Sequence, residues 1–516
     1  MSEEPGSGTP LPFLWGVATS AYQTEGGYNG PGQPQTNWAH AERAGRVALT
    51  GRSADFWNRY PEDFETCGTL GLSAFRLGIE WSRIQPTFQD AEGPPPDFDY
   101  AALDHYAEML AVCRRSGMEP VLSLHHFVHP AWLGADVWLK PETVEHFERY
   151  VSTSVRYLNS KLASLNQAPV RLYLTVNEPN MLALNTHLGR QFPGAESFGL
   201  KAVSQSLSHL LRAHVLAYRA IHALYREQCW HRPWVSCNLY CSDIYWLDKL
   251  LLDLLLARER GISPSIAQHY ALDRFRGFEA ALAEAGLPYD KDLAFRLGSV
   301  LRLAVQQAGR FAFHATEFDP FWETLFEGPD PCVIDYVAID YYDPFTAHAL
   351  RAPSLLDHDA PDPSRLSLLW GSFTSKWWDW RSVTGGLGFF CSFYANEYAR
   401  PVLIAENGMA LHRRTDNASI PRRDKLTRSA FLQRHMAEVA ELRRRAIPLL
   451  GYLHWSLFDN YEWGTFTPRF GLFSLDYGRG TARLHKDHQG DSPSVTYRRL
   501  IRSVEEWLPE ARRVSY

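Results

Sequence analysis

Two glutamates stand where apolar runs give out. Glu178 follows RLYLTVN and precedes Pro179, and Glu406 follows PVLIA and precedes Asn407 and Gly408. Two opposed carboxylates are what cleavage of a glycosidic bond needs, one protonated and donating to the departing oxygen, the other an anion at the sugar carbon. Acting differently requires different proton affinities. The fixed charge of Arg76 can hold one carboxylate ionised. The Tyr342 hydroxyl can donate to the same anion, and Asn177, next to Glu178, can donate an amide hydrogen to a sugar hydroxyl. A competing structural reading makes each glutamate a helix N-terminal cap or an ion-pair partner. It suits either residue alone better than it suits the pair set among aromatics.

Residues this distant in the chain meet only if the fold gathers strand ends. Short, mostly apolar runs at 13–18, 74–79, 120–125, 171–176, 235–240, 336–341, 401–405 and 449–454 alternate with helical patterns. Runs apolar on both faces are those of parallel strands covered on both sides. Of the helices, 100–116 has apolar residues at helical spacing and stops at Gly117. The next, 141–162, opens with Pro141 and the acidic Glu142 and Glu145, and 424–445 reads the same way. Eight strands alternating with helices predict an α/β fold, a (β/α)8 TIM barrel in a single domain with elaborated strand–helix loops. We expect a disordered N-terminal tail over 1–12 and the barrel over 13–510, with a helical excursion at about 242–331 and a Pro- and Asp-rich loop at about 350–376. Active sites in this architecture form at the C-terminal ends of the strands. That nominates Gln23, Arg76, His126, Asn177, Glu178, Tyr342, Glu406, Asn407 and the stretch from Trp455 to Trp463.

Composition narrows the chemistry further. In 516 residues, 52 Lys and Arg stand against 58 Asp and Glu, a net charge of −6. Without a basic run this excludes a nucleic-acid binder. The densest basic spot, Arg443 to Arg445, sits where it complements a helix C-terminus. Seven scattered cysteines form no disulfide framework, and Cys237 and Cys241 lack redox-pair spacing, so a reducing, cytoplasmic compartment is expected. The first residues lack a basic start and an apolar core, so no secretory signal is expected. The most apolar run, 246–257, is too short for a membrane and carries Asp248, Lys249 and Asp253, which makes it a buried helix. Aromatics are 13% of the chain, with 17 Trp. Flat apolar faces with one polar edge suit the C–H face of a pyranose as well as a bulky core.

The blocks FLWGVATSAYQTEGG, FRLGIEWSRIQP, LHHF, TVNEPN, IAENGM and GYLHWSLFDNYEW, with RFGLFSLDY after them, resemble glycoside hydrolase family 1, the retaining β-glucosidases and β-galactosidases. They run in the family's order over nearly the whole chain. The resemblance implies that Glu178 is the general acid/base and Glu406 the nucleophile. It places Gln23, His126, Asn177, Glu462 and Trp463 on the hydroxyls of the non-reducing sugar and Trp455 under its ring. Arg76 and Tyr342 become the nucleophile's neighbours. The implied activity is hydrolysis of terminal non-reducing β-D-glucosyl residues, with β-D-galactosyl and β-D-fucosyl left open, by double displacement through a covalent glycosyl-enzyme. No cofactor and no metal are expected. The partner is a small-molecule β-glycoside or short oligosaccharide, with no nucleic acid and no membrane, and nothing in the sequence sets an oligomeric state.

Departures from the family pattern carry their own expectations. The block after strand six usually reads Asn-Tyr-Tyr but here is Asp340, Tyr341, Tyr342; a further carboxylate beside Glu406 raises the nucleophile's proton affinity unless it pairs elsewhere. Phe127 replaces a Trp common after the sugar-binding His. The segment 242–331 matches poorly. Glu462 would repel a 6-phosphate yet accept hydrogen bonds from neutral hydroxyls, which argues for an unphosphorylated glycoside. Three rivals stand beside this reading. A metal hydrolase would use His125, His126 and His129, but the first two, adjacent on a strand, point to opposite faces, and no other His or Cys pair has ligand spacing. A catalytically inactive sugar-binding relative would be expected to lack a catalytic carboxylate. A transglycosylase would use the same intermediate.

Overall fold

The computed structural model describes residues 12–287, 316–346, 377–413 and 417–507. Eight parallel strands close into one barrel: β1 (Leu14–Ala18), β2 (Ala74–Gly78), β3 (Glu119–Ser123), β4 (Leu172–Asn177), β5 (Trp234–Tyr240), β6 (Val337–Tyr341), β7 (Val402–Asn407) and β8 (Leu449–Trp455). Each pairs with its sequence neighbours, and β8 returns to β1 in the register Leu14 to Gly451 through Ala18 to Trp455. The fold is thus the (β/α)8 barrel that the alternation of runs predicts.

Alternation of side chains along each strand separates two cores. Leu14 and Ala18 of β1, Leu172 and Leu174 of β4, and Leu403 and Ala405 of β7 share the cluster inside the barrel. Trp15, Val17, Tyr173, Val402 and Ile404 face the surrounding helices instead. Both sets are buried, which is why the strands read as apolar on both faces.

Helix ends follow local chemistry. Tyr100–Arg115 starts at Asp99, whose carboxylate accepts from the Ala101 and Ala102 amides. Pro141–Ser164 begins on its proline, whose missing N–H costs nothing there. The helix expected from residue 424 begins instead at Arg428, because the Thr427 hydroxyl caps it by accepting from the Ala430 amide. Arg443 and Arg444 do lie in its last turn, where they pair with Glu505 and Glu441.

Between β5 and β6 the chain forms helices Tyr245–Leu255, Pro264–Glu284 and Asp319–Phe326, more than a single crossover needs. The charges of the apolar run are satisfied internally. Lys249 donates to both oxygens of Asp253 at 2.9 Å, and Asp248 accepts from Asn180 at 2.7 Å. The latter bond ties this segment to the helix that follows β4. Residues 288–315 of the expected excursion, the loop at 350–376, residues 1–11 of the expected tail and 508–510 lie outside the described residues. No helix among the described residues is long and apolar enough to cross a membrane.

Candidate active site

The strand ends set the two glutamates opposite each other. Glu178 is the residue after β4 and the N-cap of helix Pro179–His187, in a left-handed backbone conformation (φ 41°, ψ 63°). For a residue with a Cβ that conformation is costly and is held by the surroundings. Its amide donates to the Asn238 carbonyl of β5, and Pro179 supplies the first helical residue. The carboxylate makes no capping bond, so the competing reading of Glu178 as a helix cap does not account for its side chain.

Glu406 lies inside β7, one residue before its end, and a bulge sets its direction. Pairing between β6 and β7 runs Ile339 to Ile404 and then Asp340 to Glu406, skipping Ala405. One unmatched residue re-aims the side chains beyond it, so Asp340 and Glu406 stand side by side. One oxygen from each of Glu178, Asp340 and Glu406 lies within 4.8 Å of the others. Gly408, just beyond β7, packs against β8 so closely that a Cβ there would overlap the Trp455 carbonyl.

Arg76 braces one of these carboxylates. It lies within β2 rather than after it, fully buried. Its Nη1 donates to Glu406 Oε1 at 2.6 Å, Nη2 to Asn177 Oδ1 at 2.5 Å and Nε to Ser123 Oγ at 2.9 Å. Tyr342, the residue after β6, donates its hydroxyl to Glu406 Oε2 at 2.7 Å. Burial and the Glu406 charge push the Tyr342 hydroxyl far up, so it remains a donor. Burial raises the proton affinity of Glu406, and Arg76 and Tyr342 oppose it. Glu178 is pushed well above the carboxylate range, first by burial and then by the charges of Asp340 and Glu406. The two glutamates therefore sit in unlike surroundings: one is bonded to a cation and a phenol, the other faces two carboxylates.

A second group of residues lines the mouth beside this pair. Gln23, on the short helix Ala21–Glu25 after β1, donates to Glu462 Oε2 at 3.0 Å and to Asn460 Oδ1 at 3.2 Å. Trp455, the last residue of β8, donates its indole N–H to Glu462 Oε1 at 2.9 Å. Glu462 is pushed up to about 8 by burial, against the pull of that N–H. The His126 ring lies nearly parallel to those of Trp455 (10°, centroids 5.8 Å) and Trp463 (11°, 5.7 Å). Burial and then Arg76 hold His126 well below its usual range, so it is neutral. Phe127 packs edge-on to Trp463 with centroids 4.7 Å apart. Asn177 Nδ2 is buried with no protein partner and can donate to a ligand.

Contacts thus link Arg76, Asn177, Tyr342 and Glu406 in one group and Gln23, His126, Trp455, Glu462 and Trp463 in another, whereas Asn407 bonds the Tyr341 carbonyl and the Tyr452 hydroxyl instead. Sequence reasoning missed several that hold them. Ser20 fixes Gln23 through a 2.6 Å bond to its Oε1, and Ser123 anchors Arg76. Asn238 donates to Asn177 Oδ1 at 2.5 Å and also to Asp340 Oδ2. Its signal was present: a lone amide in the otherwise apolar end of β5. The histidines also depart from expectation. β3 ends at Ser123, so His125 and His126 lie beyond it in a loop. His125 turns toward Trp138 and Phe147, away from the mouth. Among the described residues the one group of three metal-ligand side chains within reach of one another is Glu178, Asp340 and Glu406. Arg76, 2.6 Å from Glu406 and 3.8 Å from Asp340, already supplies a cation there and repels another.

The family model described as Glycosyl hydrolase family 1 matches residues 7–273 and 331–491. The unmatched stretch, 274–330, is narrower than the 242–331 expected from sequence. The chain is 27% identical over 487 residues to 6-phospho-beta-galactosidase 1 of Streptococcus pneumoniae, covering 91% of this chain and 94% of that protein. It is 24% identical over 489 residues to the cytosolic beta-glucosidase of Homo sapiens, covering 91% and 93%. The solved beta-glucosidase from Thermotoga maritima in complex with noeuromycin superposes with a TM-score of 0.65 at 22% identity, over 96% of this chain and 99% of that one.

Proposed function

The chain belongs to glycosyl hydrolase family 1 and is a glycoside hydrolase, and from that premise we propose that it hydrolyses terminal, unphosphorylated β-D-glucosyl residues with retention of configuration. β-D-Galactosyl and β-D-fucosyl residues are the next candidates in the same site. One Glu406 oxygen attacks the anomeric carbon as the bond to the leaving oxygen breaks, and Glu178 passes its proton to that oxygen. Water then attacks the same carbon, Glu178 takes its proton, and the bond to Glu406 breaks. Two inversions give net retention.

The observation that carries this reading is the close approach of Glu178 and Glu406, with oxygens within 4.8 Å, one of them accepting from Arg76 and Tyr342. Retaining pairs stand roughly 5–5.5 Å apart, whereas inverting pairs need roughly 6.5–9.5 Å to admit a water. Asn177, with its free amide, is assigned to the sugar 2-hydroxyl, and His126, Gln23, Glu462 and Trp463 to the remaining hydroxyls. Trp455 offers its face to the ring.

Glu462 supports the unphosphorylated sugar, although relatives of both kinds exist. The groups on its oxygens are an indole N–H and an amide, and no cation is among them. A 6-phosphate dianion would be buried there without a positive partner. A cytoplasmic location fits the seven unpaired cysteines and the cytosolic relative.

A panel of aryl β-glycosides, with the first-formed sugar followed by NMR, tests the proposal. Release of the β-anomer first supports it; the α-anomer first overturns retention. Added acceptor alcohol separates hydrolysis from transglycosylation, since an alkyl glycoside accumulates only in the latter.

A further inference from the structure

The site holds a third buried carboxylate for which the two-glutamate reaction has no use. Asp340 is 0% exposed. The β6–β7 bulge puts it opposite Glu406, and its oxygens reach within 4.8 Å of both glutamates. Asn238 donates to Oδ2. Oδ1 is buried without a hydrogen-bond partner and lies 3.8 Å from Arg76 Nη1. The charged and titratable groups facing Asp340 are Arg76 from β2, Glu178 beyond β4, Cys241 beyond β5, Tyr342 beyond β6 and Glu406 of β7.

A count of charges decides where a proton must sit. Three ionised carboxylates against one guanidinium would bury a double negative charge, which is too costly without a proton. Glu406 is the carboxylate held by Arg76 at 2.6 Å and Tyr342 at 2.7 Å, so it stays ionised. The proton therefore belongs to Glu178 and Asp340. Of these, Asp340 has an amide donor that favours its anion, whereas Glu178 has neither a capping bond nor a cation bonded to it. Glu178 is the protonated member, with an oxygen within 4.8 Å of one of Asp340.

We infer that Asp340 is a positioning residue for the acid–base step: it pairs with Glu178 and keeps that carboxyl protonated to higher pH than a neutral residue in its place would. This deepens and rests on the proposed role of Glu178. The effect spans the reaction. When Glu406 becomes an ester its charge is lost, and a neutral neighbour would let the proton affinity of Glu178 fall. The Asp340 anion persists, so Glu178 remains a strong base toward the incoming water. Burial and the Glu406 charge also raise Asp340 itself, and the two groups titrate as a pair.

Asp340→Asn keeps the shape and removes the charge. Carbon-13 NMR of protein labelled at the glutamate carboxyls, with the Glu178 signal assigned by Glu178→Gln, reads the titration directly. We expect Glu178 to titrate at least about one pH unit lower in Asp340→Asn, about tenfold in proton affinity. The basic limb of kcat/KM should move down with it while KM stays nearly constant. An unmoved Glu178 titration overturns the inference, as does a loss of kcat with both limbs in place, the mark of a merely structural residue. If the NMR shift appears but neither protein cleaves any aryl β-glycoside, the proposed function fails and the pairing stands. Asp340→Ser, smaller and also neutral, must give the same shift should the amide variant fold poorly.

Discussion

Arg76 Nη1 lies 2.6 Å from Glu406 Oε1, and the guanidinium is wholly buried. The same side chain spans three strands, from Ser123 in β3 through Asn177 in β4 to Glu406 in β7. A planar fork can make these bonds at once; an ammonium cannot. Arg76→Lys should therefore lower kcat/KM by about 100- to 1000-fold, about 3–4 kcal/mol of transition-state stabilisation lost with the forked bonds. The acidic limb of the pH profile should move up, because the ammonium loses the 2.6 Å bond through which the guanidinium lowers the proton affinity of Glu406. Kinetics from pH 4 to 9 check both; an unmoved acidic limb would contradict the brace.

The two glutamates should separate by leaving group. Glu406→Ala should abolish turnover on every glycoside, since no bond to the anomeric carbon can form. Glu178→Ala should cost about 100- to 10,000-fold where the departing oxygen needs a proton and far less for dinitrophenolate, which leaves unaided. Pre-steady-state rates across phenols of graded acidity measure this. Equal losses across the series for both variants would refute the division of labour.

Glu462 makes a prediction about both pH and phosphate. Burial raises it to about 8. Trp455 and Gln23 already donate to its two oxygens, and sugar hydroxyls add donors that favour the anion. A neutral sugar-mimicking inhibitor should therefore bind more tightly as pH rises through 7 to 8, with proton release on binding measurable by calorimetry in buffers of different ionisation enthalpy. Glu462→Ser should flatten this dependence and raise KM for glucosides about tenfold or more. The unaltered enzyme should leave aryl 6-phospho-β-glycosides untouched; turnover of these at rates matching the glucosides would remove the role given to Glu462.

Much of the architecture was legible because the barrel repeats one local rule. Runs buried on both faces read as apolar, and all eight became strands within a few residues of the expected limits. Glu178 and Glu406 could be picked out because they are the first charged residues after such runs. The nearness of Asp340 to Glu406 was expected from the family block alone and not from the local pattern. It depends on a one-residue bulge that skips Ala405, and no local pattern announces a bulge in a parallel pair. Asn238 was missed for a related reason: an amide inside a strand becomes informative only when its cross-barrel neighbours are known. The helix expected from 424 started late because the Thr427 hydroxyl outcompetes Asp424 for the cap; Asp424 is engaged with Arg422.

Asp459, inside the loop that carries Glu462 and Trp463, shows how that loop is held. Its Oδ1 accepts from the Gly471 amide at 3.0 Å and Arg428 at 3.3 Å. Its Oδ2 accepts from Arg469 at 3.1 Å and the Leu475 amide at 3.2 Å. Both arginines and the carboxylate are buried. Asp459→Asn keeps the volume but removes the negative charge that two buried cations share, and turns one acceptor into a donor facing donors. The expected loss is about 3–5 kcal/mol of stability, read as a lower denaturant midpoint. Because Glu462 and Trp463 are displaced with the loop, KM should rise more than kcat falls. Retained KM alongside lost stability would mean that the loop holds its sugar-facing end by other contacts, with Gln23 and Trp455 on Glu462 as the remaining candidates.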